Sequence, residues 1–275
     1  MDGLFYILGF FSFGLGACIA SFLNVVIWRV PRGESIVRPP SHCPKCNAPI
    51  KWYQNIPILS WLALRGKCAN CRAPISPRYI LIELLGGVLF FAVFWFYGVT
   101  PVTPVMWIWI SLMIVGSMID FDHKLLPDFV TVGGMVLGLL AAAIDSTVAY
   151  LNHSVNQLFG YSVIQSLLGL VFGFGLLWLI RLLGSKAFKR EAMGLGDVFL
   201  MGAVGALFGP VAVLFTLILS SVFGSVVGIG MVALSKTKFG KFVEIPYGPY
   251  ICLGCLVWMF YGPELVDAYI HLLKG

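Results

Sequence analysis

Long apolar stretches dominate this sequence and restrict what the chain can fold into. A helix that crosses a lipid bilayer needs about 20 predominantly apolar residues. One stretch, from Val198 to Leu234, is about twice that length, and Gly209-Pro210 inside it is typical of a turn, so we divide it into two spans. Six further stretches run from Leu4 to Trp28, Ile80 to Tyr97, Val105 to Ile119, Phe129 to Ile144, Val163 to Leu183 and Tyr250 to Leu272. The sequence therefore predicts an all-α polytopic membrane protein with about eight transmembrane helices.

The composition excludes a water-soluble or disordered chain. Hydrophobic residues make up 59% of the 275 residues and charged residues only 11%, whereas soluble domains carry about 25% charged residues. A chain with so few charged residues cannot cover a soluble protein with polar surface. A chain this apolar also does not remain solvated in a disordered state. The net charge of +6 is read as a signal of membrane orientation rather than of nucleic-acid binding.

The basic residues are distributed unevenly between the loops. If the N-terminus lies outside, 17 of the 18 Lys and Arg residues fall on one face of the membrane. The positive-inside rule places that face in the cytoplasm. These residues are Arg29, Arg32, Arg38, Lys45, Lys51, Arg65, Lys67, Arg72, Arg78, Lys124, Arg181, Lys186, Lys189, Arg190, Lys236, Lys238 and Lys241.

Two C-x2-C pairs lie in the first of these basic loops. Two such pairs supply the four thiolates of a closed tetrahedral zinc site, and their separation by 21 residues is close to the zinc-ribbon pattern. Disulfides rarely persist in the cytoplasm, which favours metal over oxidation. We therefore predict a structural zinc ion bound by Cys43, Cys46, Cys68 and Cys71. His42, beside the first pair, is interpreted as a solvated neighbour.

These features predict three parts of the chain. Residues 1–28 form the first transmembrane helix, residues 29–79 a small cytoplasmic zinc-ribbon-like loop domain, and residues 80–275 a second transmembrane domain.

Two acids stand at the cytoplasmic ends of predicted spans. Ionisable groups at the edge of a span are costly and mark function. Asp120 ends the third span and Asp197 opens the sixth. Two such carboxyl groups can share a proton and act as acid and base on a peptide bond. The spacing alone is equally compatible with a proton or ion pathway. Asp122 and Asp128 are interpreted as loop acids, with Asp128 capping the next helix.

The motif Gly194-Leu195-Gly196-Asp197 resembles that of the GxGD intramembrane aspartyl proteases. Further motifs, in order and over nearly the whole chain, resemble one branch, the type IV prepilin leader peptidases. They are Phe22-Leu23-Asn24-Val25-Val26-Ile27, the run from Arg38 to Cys46, Asn55-Ile56-Pro57-Ile58-Leu59-Ser60-Trp61, Ile119-Asp120 with Leu126-Pro127-Asp128, and Ile245-Pro246-Tyr247-Gly248-Pro249.

The resemblance implies a bifunctional enzyme that processes prepilins or pseudopilins. Such enzymes cleave a basic leader peptide at the cytoplasmic face of the membrane, and their catalytic aspartates fall on Asp120 and Asp197. Members with the cysteine loop also N-methylate the new N-terminal residue with S-adenosylmethionine, so the loop is expected to be associated with methyl transfer. No G-x-G-x-x-G follows a predicted strand, and the residues that bind the methyl donor are unknown. Glu34 is named as a candidate for orienting the amine.

Two other functions compete with this interpretation. A proton- or ion-coupled transporter would use the same aspartates, although transporters usually place such acids near the bilayer midplane. A scaffold would dock a cytoplasmic partner through the zinc loop and would need neither aspartate. Release of a leader peptide from a prepilin would distinguish the enzyme from both.

Overall fold

The computed structural model describes residues 2–151, 162–191, 193–234 and 245–274. Within these ranges the chain forms helices and two isolated β-bridges but no β-strand. The helices are α1 (Asp2–Arg29), α2 (Leu59–Ala63), α3 (Pro77–Tyr97), α4 (Val102–His123), α5 (Asp128–Leu151), α6 (Val163–Phe188), α7 (Leu195–Leu234) and α8 (Gly248–Lys274). The all-helical membrane architecture predicted from the sequence is confirmed. The chain divides into two compact units, Met1–Val115 and Gly116–Gly275, with the boundary inside α4.

In the first unit, α1 and α3 pack closely. A methyl group added to Gly16 would lie 2.5 Å from the carbonyl oxygen of Gly86, so the two helices approach at backbone distance. Phe90 stacks on Trp107 with ring centroids 5.3 Å apart, and the indole N–H of Trp107 donates to the carbonyl of Phe90 at 3.0 Å. The residues between α1 and α3 form the cysteine loop, which contains α2.

Local sequence signals set where two of these helices begin. Ser76 accepts a hydrogen bond from the backbone N–H of Arg78, and Pro77 is the first residue of α3, where its missing N–H is no loss. Ser162 and Gln165 form a reciprocal capping box at the start of α6.

In the second unit, α7 reverses its direction at Gly209. Gly209 has non-helical torsion angles (φ 80°, ψ 178°) and precedes Pro210. A methyl group on Gly173 of α6 would lie 2.5 Å from the carbonyl of Met201 and 3.1 Å from Val213. In a straight helix, Met201 and Val213 would be about 18 Å apart, because they are twelve residues apart in the sequence. Both parts of α7 therefore run along α6, on either side of the predicted turn.

This reversal reconciles two counts of membrane helices. By length and apolar composition, seven helices in the described ranges are able to cross a membrane. One of them is α7, which the break at Gly209 divides into the two spans expected from the sequence. Parts of three predicted loops lie outside the described residues, namely 152–161, 192 and 235–244, and the last of these includes Lys236, Lys238 and Lys241. The division at residues 28 and 79 stays a prediction.

Candidate functional site

Four thiol groups of the first unit converge in the loop between α1 and α3. The sulfur atoms of Cys43, Cys46, Cys68 and Cys71 all lie within 4.8 Å of one another, and those of Cys43 and Cys71 are 3.9 Å apart. A tetrahedral zinc ion with bonds of about 2.3 Å places its sulfur ligands roughly 3.8 Å apart. None of these cysteines forms a disulfide. The four atoms are thus arranged as a closed four-coordinate metal site requires.

The two cysteine pairs have the same local fold. In the first, the N–H of Asn47 donates to the carbonyl of Cys43 at 2.8 Å, and in the second, the N–H of Arg72 donates to that of Cys68 at 3.0 Å. Asn47 and Arg72 both have positive φ, at 54° and 60°. The sequence reads Cys-x-x-Cys-x-Ala-Pro-Ile both times. This short repeat, which the sequence analysis did not use, builds two equivalent knuckles.

Backbone N–H groups favour the charged form of these thiols. The N–H of Ala48, followed by the side chain of Asn70, lowers the pKa of Cys46 to about 6. The N–H groups of Cys71 and Asn70 lower the pKa of Cys68.

The fourth thiol resists ionisation because of its neighbours. The N–H of Ala73 favours the thiolate of Cys71, yet burial and the nearby Cys46 and Cys68 raise its pKa to about 11. A divalent cation would offset the charge that accumulates when all four sulfur atoms are thiolates. The donor set and its surroundings therefore fit zinc.

In the second unit, Asp120 lies in the last turns of α4 and is held by the start of α8. Its side chain is 5% exposed. The backbone N–H of Gly248 donates to Oδ2 of Asp120 at 2.9 Å. Gly248 is the first residue of α8, so the carboxyl group faces the positive end of that helix.

Asp197 is anchored in a similar way at the start of α7. It lies in the first turn, is 7% exposed, and accepts a hydrogen bond from the backbone N–H of Gly194. The two carboxyl groups are close enough to interact electrostatically. The other oxygen of Asp197, Oδ1, is buried and has no hydrogen-bond partner among the described residues. Two acids that are 77 positions apart thus lie near each other, Asp120 against the N-terminus of α8 and Asp197 at the N-terminus of α7.

Leu126 explains why glycines surround these acids. A methyl group on Gly196 would lie 2.7 Å from Cβ of Leu126, and one on Gly248 would lie 3.3 Å from its Cδ1. No functional role was predicted for Gly248 from the sequence. Among the described glycines, neither Gly194 nor Gly196 has a positive φ. Close packing beside the carboxyl groups, rather than an irregular backbone, is what requires a small residue here.

Two family models match the chain. The bacterial peptidase A24 N-terminal domain matches residues 15–97, and the type IV leader peptidase family matches residues 107–229. A prepilin leader peptidase/N-methyltransferase of Stutzerimonas stutzeri is 34% identical over 285 residues, which is 94% of this chain and 93% of that protein. The chain belongs to the type IV leader peptidase family. The four cysteines lie in the first matched range and both aspartates in the second.

Other relatives of the family carry the same name. The protein from Myxococcus xanthus is 43% identical over 225 residues, covering 80% of this chain and 62% of the relative. The protein from Pseudomonas aeruginosa is 33% identical over 282 residues, covering 94% of this chain and 91% of the relative. No solved structure matches the chain. With its apolar helices, this family member is a multi-pass membrane protein.

The remaining residues singled out from the sequence lie at the surface of their units. Asp122 is exposed in the last turn of α4, which continues to His123, so the expectation that it belongs to a loop is corrected. Asp128 is exposed as the first residue of α5. Glu34 and His42 are exposed in the cysteine loop, and Nδ1 of His42 lies 3.1 Å from the carbonyl oxygen of Pro40.

One contact that the sequence analysis missed holds the cysteine loop to α3. Ile58 has φ 63° and ψ −55°, and the N–H of Leu59 donates to the carbonyl of Pro57 at 2.6 Å. This is the rare, strained form of the γ-turn. The carboxylate of Glu83, in α3, accepts the N–H of Ile58 at 2.7 Å. Glu83 is an acid inside a predicted span, a signal that could have identified it from the sequence.

Proposed function

We propose that this chain is a bifunctional prepilin peptidase of the bacterial inner membrane. It would cleave the leader from type IV prepilins or pseudopilins and N-methylate the new N-terminal residue. The observation that carries the proposal is the pair of buried carboxyl groups, each anchored by a backbone N–H at a helix start, within a chain of this family. The relatives named above are prepilin leader peptidase/N-methyltransferases. Nothing in those names favours the transporter alternative.

In the proposed peptidase reaction, Asp120 and Asp197 share one proton. The ionised carboxylate takes a proton from a water molecule, whose oxygen attacks the scissile carbonyl carbon. The protonated carboxyl group then donates its proton to the leaving amine as the C–N bond breaks. Oδ1 of Asp197 is buried and has no partner in the part of the chain that the structure describes, which supports this assignment because it can accept a hydrogen bond from water or from the substrate.

The cysteine loop is proposed as a structural zinc domain that serves methyl transfer. Cys43, Cys46, Cys68 and Cys71 would hold the ion, which supplies folding energy to a loop with little apolar core. S-adenosylmethionine would supply the methyl group. Because the described residues contain no β-strand, a Rossmann-type site for this donor has no counterpart there.

The charge distribution supports a cytoplasmic position for both sites. With eight spans and the N-terminus outside, the basic loops, the cysteines and both aspartates would all lie on the inner side. Three of the 17 basic residues lie outside the described ranges, but the nine between positions 29 and 78 inclusive suffice for the bias.

One experiment tests the whole proposal. The purified protein in lipid nanodiscs is incubated with a prepilin and S-adenosylmethionine, and mass spectrometry follows the leader, the new N-terminus and its methylation. We expect leader release followed by a mass gain of one methyl group. An intact precursor after prolonged incubation with folded enzyme would contradict the peptidase assignment. Cleavage without methylation would contradict only the second activity.

A further inference from the structure

Arg181 of α6 binds the short connection that leads into α7 and to the aspartate at its start. Its Nε donates to the carbonyl oxygen of Met193 at 2.9 Å, and its Nη2 donates to Oε1 of Glu191 at 3.2 Å. Arg181 lies seven residues before the end of α6 at Phe188, which is about 10 Å along the helix axis. One guanidinium group therefore ties two residues of the connection back to the body of α6.

The bond from Arg181 to Met193 is one peptide group away from Asp197. The N–H of Gly194 donates to the Asp197 carboxyl group, and a methyl group added to Gly194 would lie 3.3 Å from Oδ2 of that group. The carbonyl of Met193 and the N–H of Gly194 belong to the same peptide group, which is trans and planar, so they point in opposite directions. Arg181 and Asp197 therefore bind opposite edges of a single rigid group.

This arrangement couples the guanidinium group to the carboxyl group in two ways. Because the peptide group is planar, a bond that fixes the oxygen of Met193 also fixes the direction of the Gly194 N–H. A cation on the carbonyl oxygen also polarises the peptide group, and hydrogen bonds linked in such a chain strengthen one another. Loss of the guanidinium group should therefore both loosen and weaken the donor that anchors Asp197.

We propose that Arg181 is a positioning residue for Asp197 and acts through the peptide group between Met193 and Gly194. This inference rests on the proposed peptidase function, in which Asp197 is one of the two acids. Arg suits the position better than Lys, because its fork of donors reaches the carbonyl and the carboxylate at once, whereas an ammonium group is a compact point charge. The side chain of Glu191 is 83% exposed, so its ion pair adds little stability and serves to orient the guanidinium group.

The test measures kcat and KM for leader cleavage by Arg181→Ala and Arg181→Lys in lipid nanodiscs. We expect Arg181→Ala to lower kcat about 10- to 100-fold, as for the loss of a hydrogen bond that involves a charged group. KM should change little, because Arg181 binds the backbone of the enzyme rather than the substrate. Arg181→Lys should have an intermediate kcat, since one ammonium group can still reach one of the two acceptors.

Lys186→Ala is the matched control. It removes one positive charge from the last turn of the same helix, where Lys186 is exposed. Its kcat should equal that of the wild type, which would show that the effect at Arg181 does not come from the charge of α6 alone.

Chemical rescue separates positioning from a loss of folding. The side chain of Arg181 is 22% exposed, so a small cation can enter the space that Arg181→Ala leaves. Guanidinium chloride at a concentration that does not denature the wild type should restore part of the lost kcat, because it supplies the same paired donors. Ammonium chloride at the same concentration should restore less. A misfolded variant would respond to neither salt.

Three results would overturn the role of Arg181. They are a folded Arg181→Ala enzyme with wild-type kcat, a higher KM at unchanged kcat, and a loss of kcat that neither Arg181→Lys nor guanidinium relieves. The second would indicate substrate binding and the third a purely structural role. A folded wild type that releases no leader would instead contradict the proposed peptidase function, and the role of Arg181 with it.

Discussion

Gly248→Ala tests whether the start of α8 sets the position of the Asp120 carboxyl group. The added methyl group would lie 2.8 Å from Oδ2 and 3.3 Å from Cγ of Asp120. Ordinary van der Waals contact begins at 3.4 Å, so the carboxyl group must retreat by about 0.6 Å. Leu126, whose Cδ1 would lie 3.3 Å from the same methyl group, blocks part of the space for that movement.

The size of the effect follows from the hydrogen bond that is lost. At 2.9 Å, the bond from Gly248 to Asp120 does not survive a retreat of that size with its geometry intact. A hydrogen bond to a charged group contributes about 1.5–3 kcal/mol, which corresponds to a roughly 10- to 150-fold change in rate. The helix itself should not suffer, because Ala is a better helix former than Gly by about 1 kcal/mol.

The assay is steady-state leader cleavage by enzyme of verified thermal stability. We expect kcat to fall by the factor above while KM changes little, because Gly248 contacts the acid rather than the substrate. Gly133→Ala in α5 is the control, since a methyl group there meets nothing within 4 Å. A folded Gly248→Ala enzyme with kcat within twofold of the wild type would refute the view that this contact positions the acid.

Three further predictions concern the acids, the metal and the loop. Asp120→Asn or Asp197→Asn should lower leader release about a thousandfold, within the range for a lost general acid or base, whereas exposed Asp122→Asn should stay near wild type; normal cleavage by either of the first two would remove that residue from the chemistry. Cys43→Ser should lower the zinc content from one ion per chain and speed proteolysis of the loop, measured by elemental analysis and limited digestion; an unchanged zinc content would contradict the ligand set. Glu83→Ala should increase amide hydrogen exchange at the γ-turn more than Glu83→Gln, because the amide oxygen of Gln still accepts the N–H; equal exchange would show that the contact is unimportant.

Features that depend on local sequence were predictable. Apolar length marks the spans, and the Gly209-Pro210 pair marked a reversal, because a helix interior accommodates neither residue well. The cysteine spacing predicted a cluster, because two C-x2-C pairs at this separation are typical of a tetrahedral metal site.

Features that depend on long-range packing were not predictable from one sequence. The contact between Gly248 and Asp120 joins residues 128 positions apart. No periodicity or spacing in the sequence encodes this contact. Tyr247 and Gly248 belong to a motif that resembles one of the family, but nothing else in the sequence marks them. Likewise, α7 turns back along α6 at Gly209, and Leu217 and Ile180 line one cavity although they are far apart in the sequence. Such proximity follows from the assembled helices rather than from any segment alone.

The two proposed activities should be separable, because their residues lie in different compact units. The four cysteines belong to residues 1–115, and both aspartates belong to residues 116–275. A change at Asp120 removes a carboxyl group from the second unit and alters none of the four cysteines. A change at Cys46 removes a proposed metal ligand from the first unit and alters neither Asp120 nor Gly248 of the second.

We therefore predict that Asp120→Asn loses cleavage but still methylates a pilin supplied without its leader, and that Cys46→Ser loses methylation more severely than cleavage. The assay supplies precursor and mature pilin separately to each variant, with a methyl-labelled donor, and measures leader release and label incorporation. Cys255→Ser is the control for the thiol change, because Cys255 is buried in α8 and lies outside the cluster of four. The contrary result is that both variants lose both activities equally, although each protein is folded and the Asp120→Asn protein retains its zinc. That result would favour one shared site, because methyl transfer that is independent of the aspartates should not be lost when Asp120 is changed.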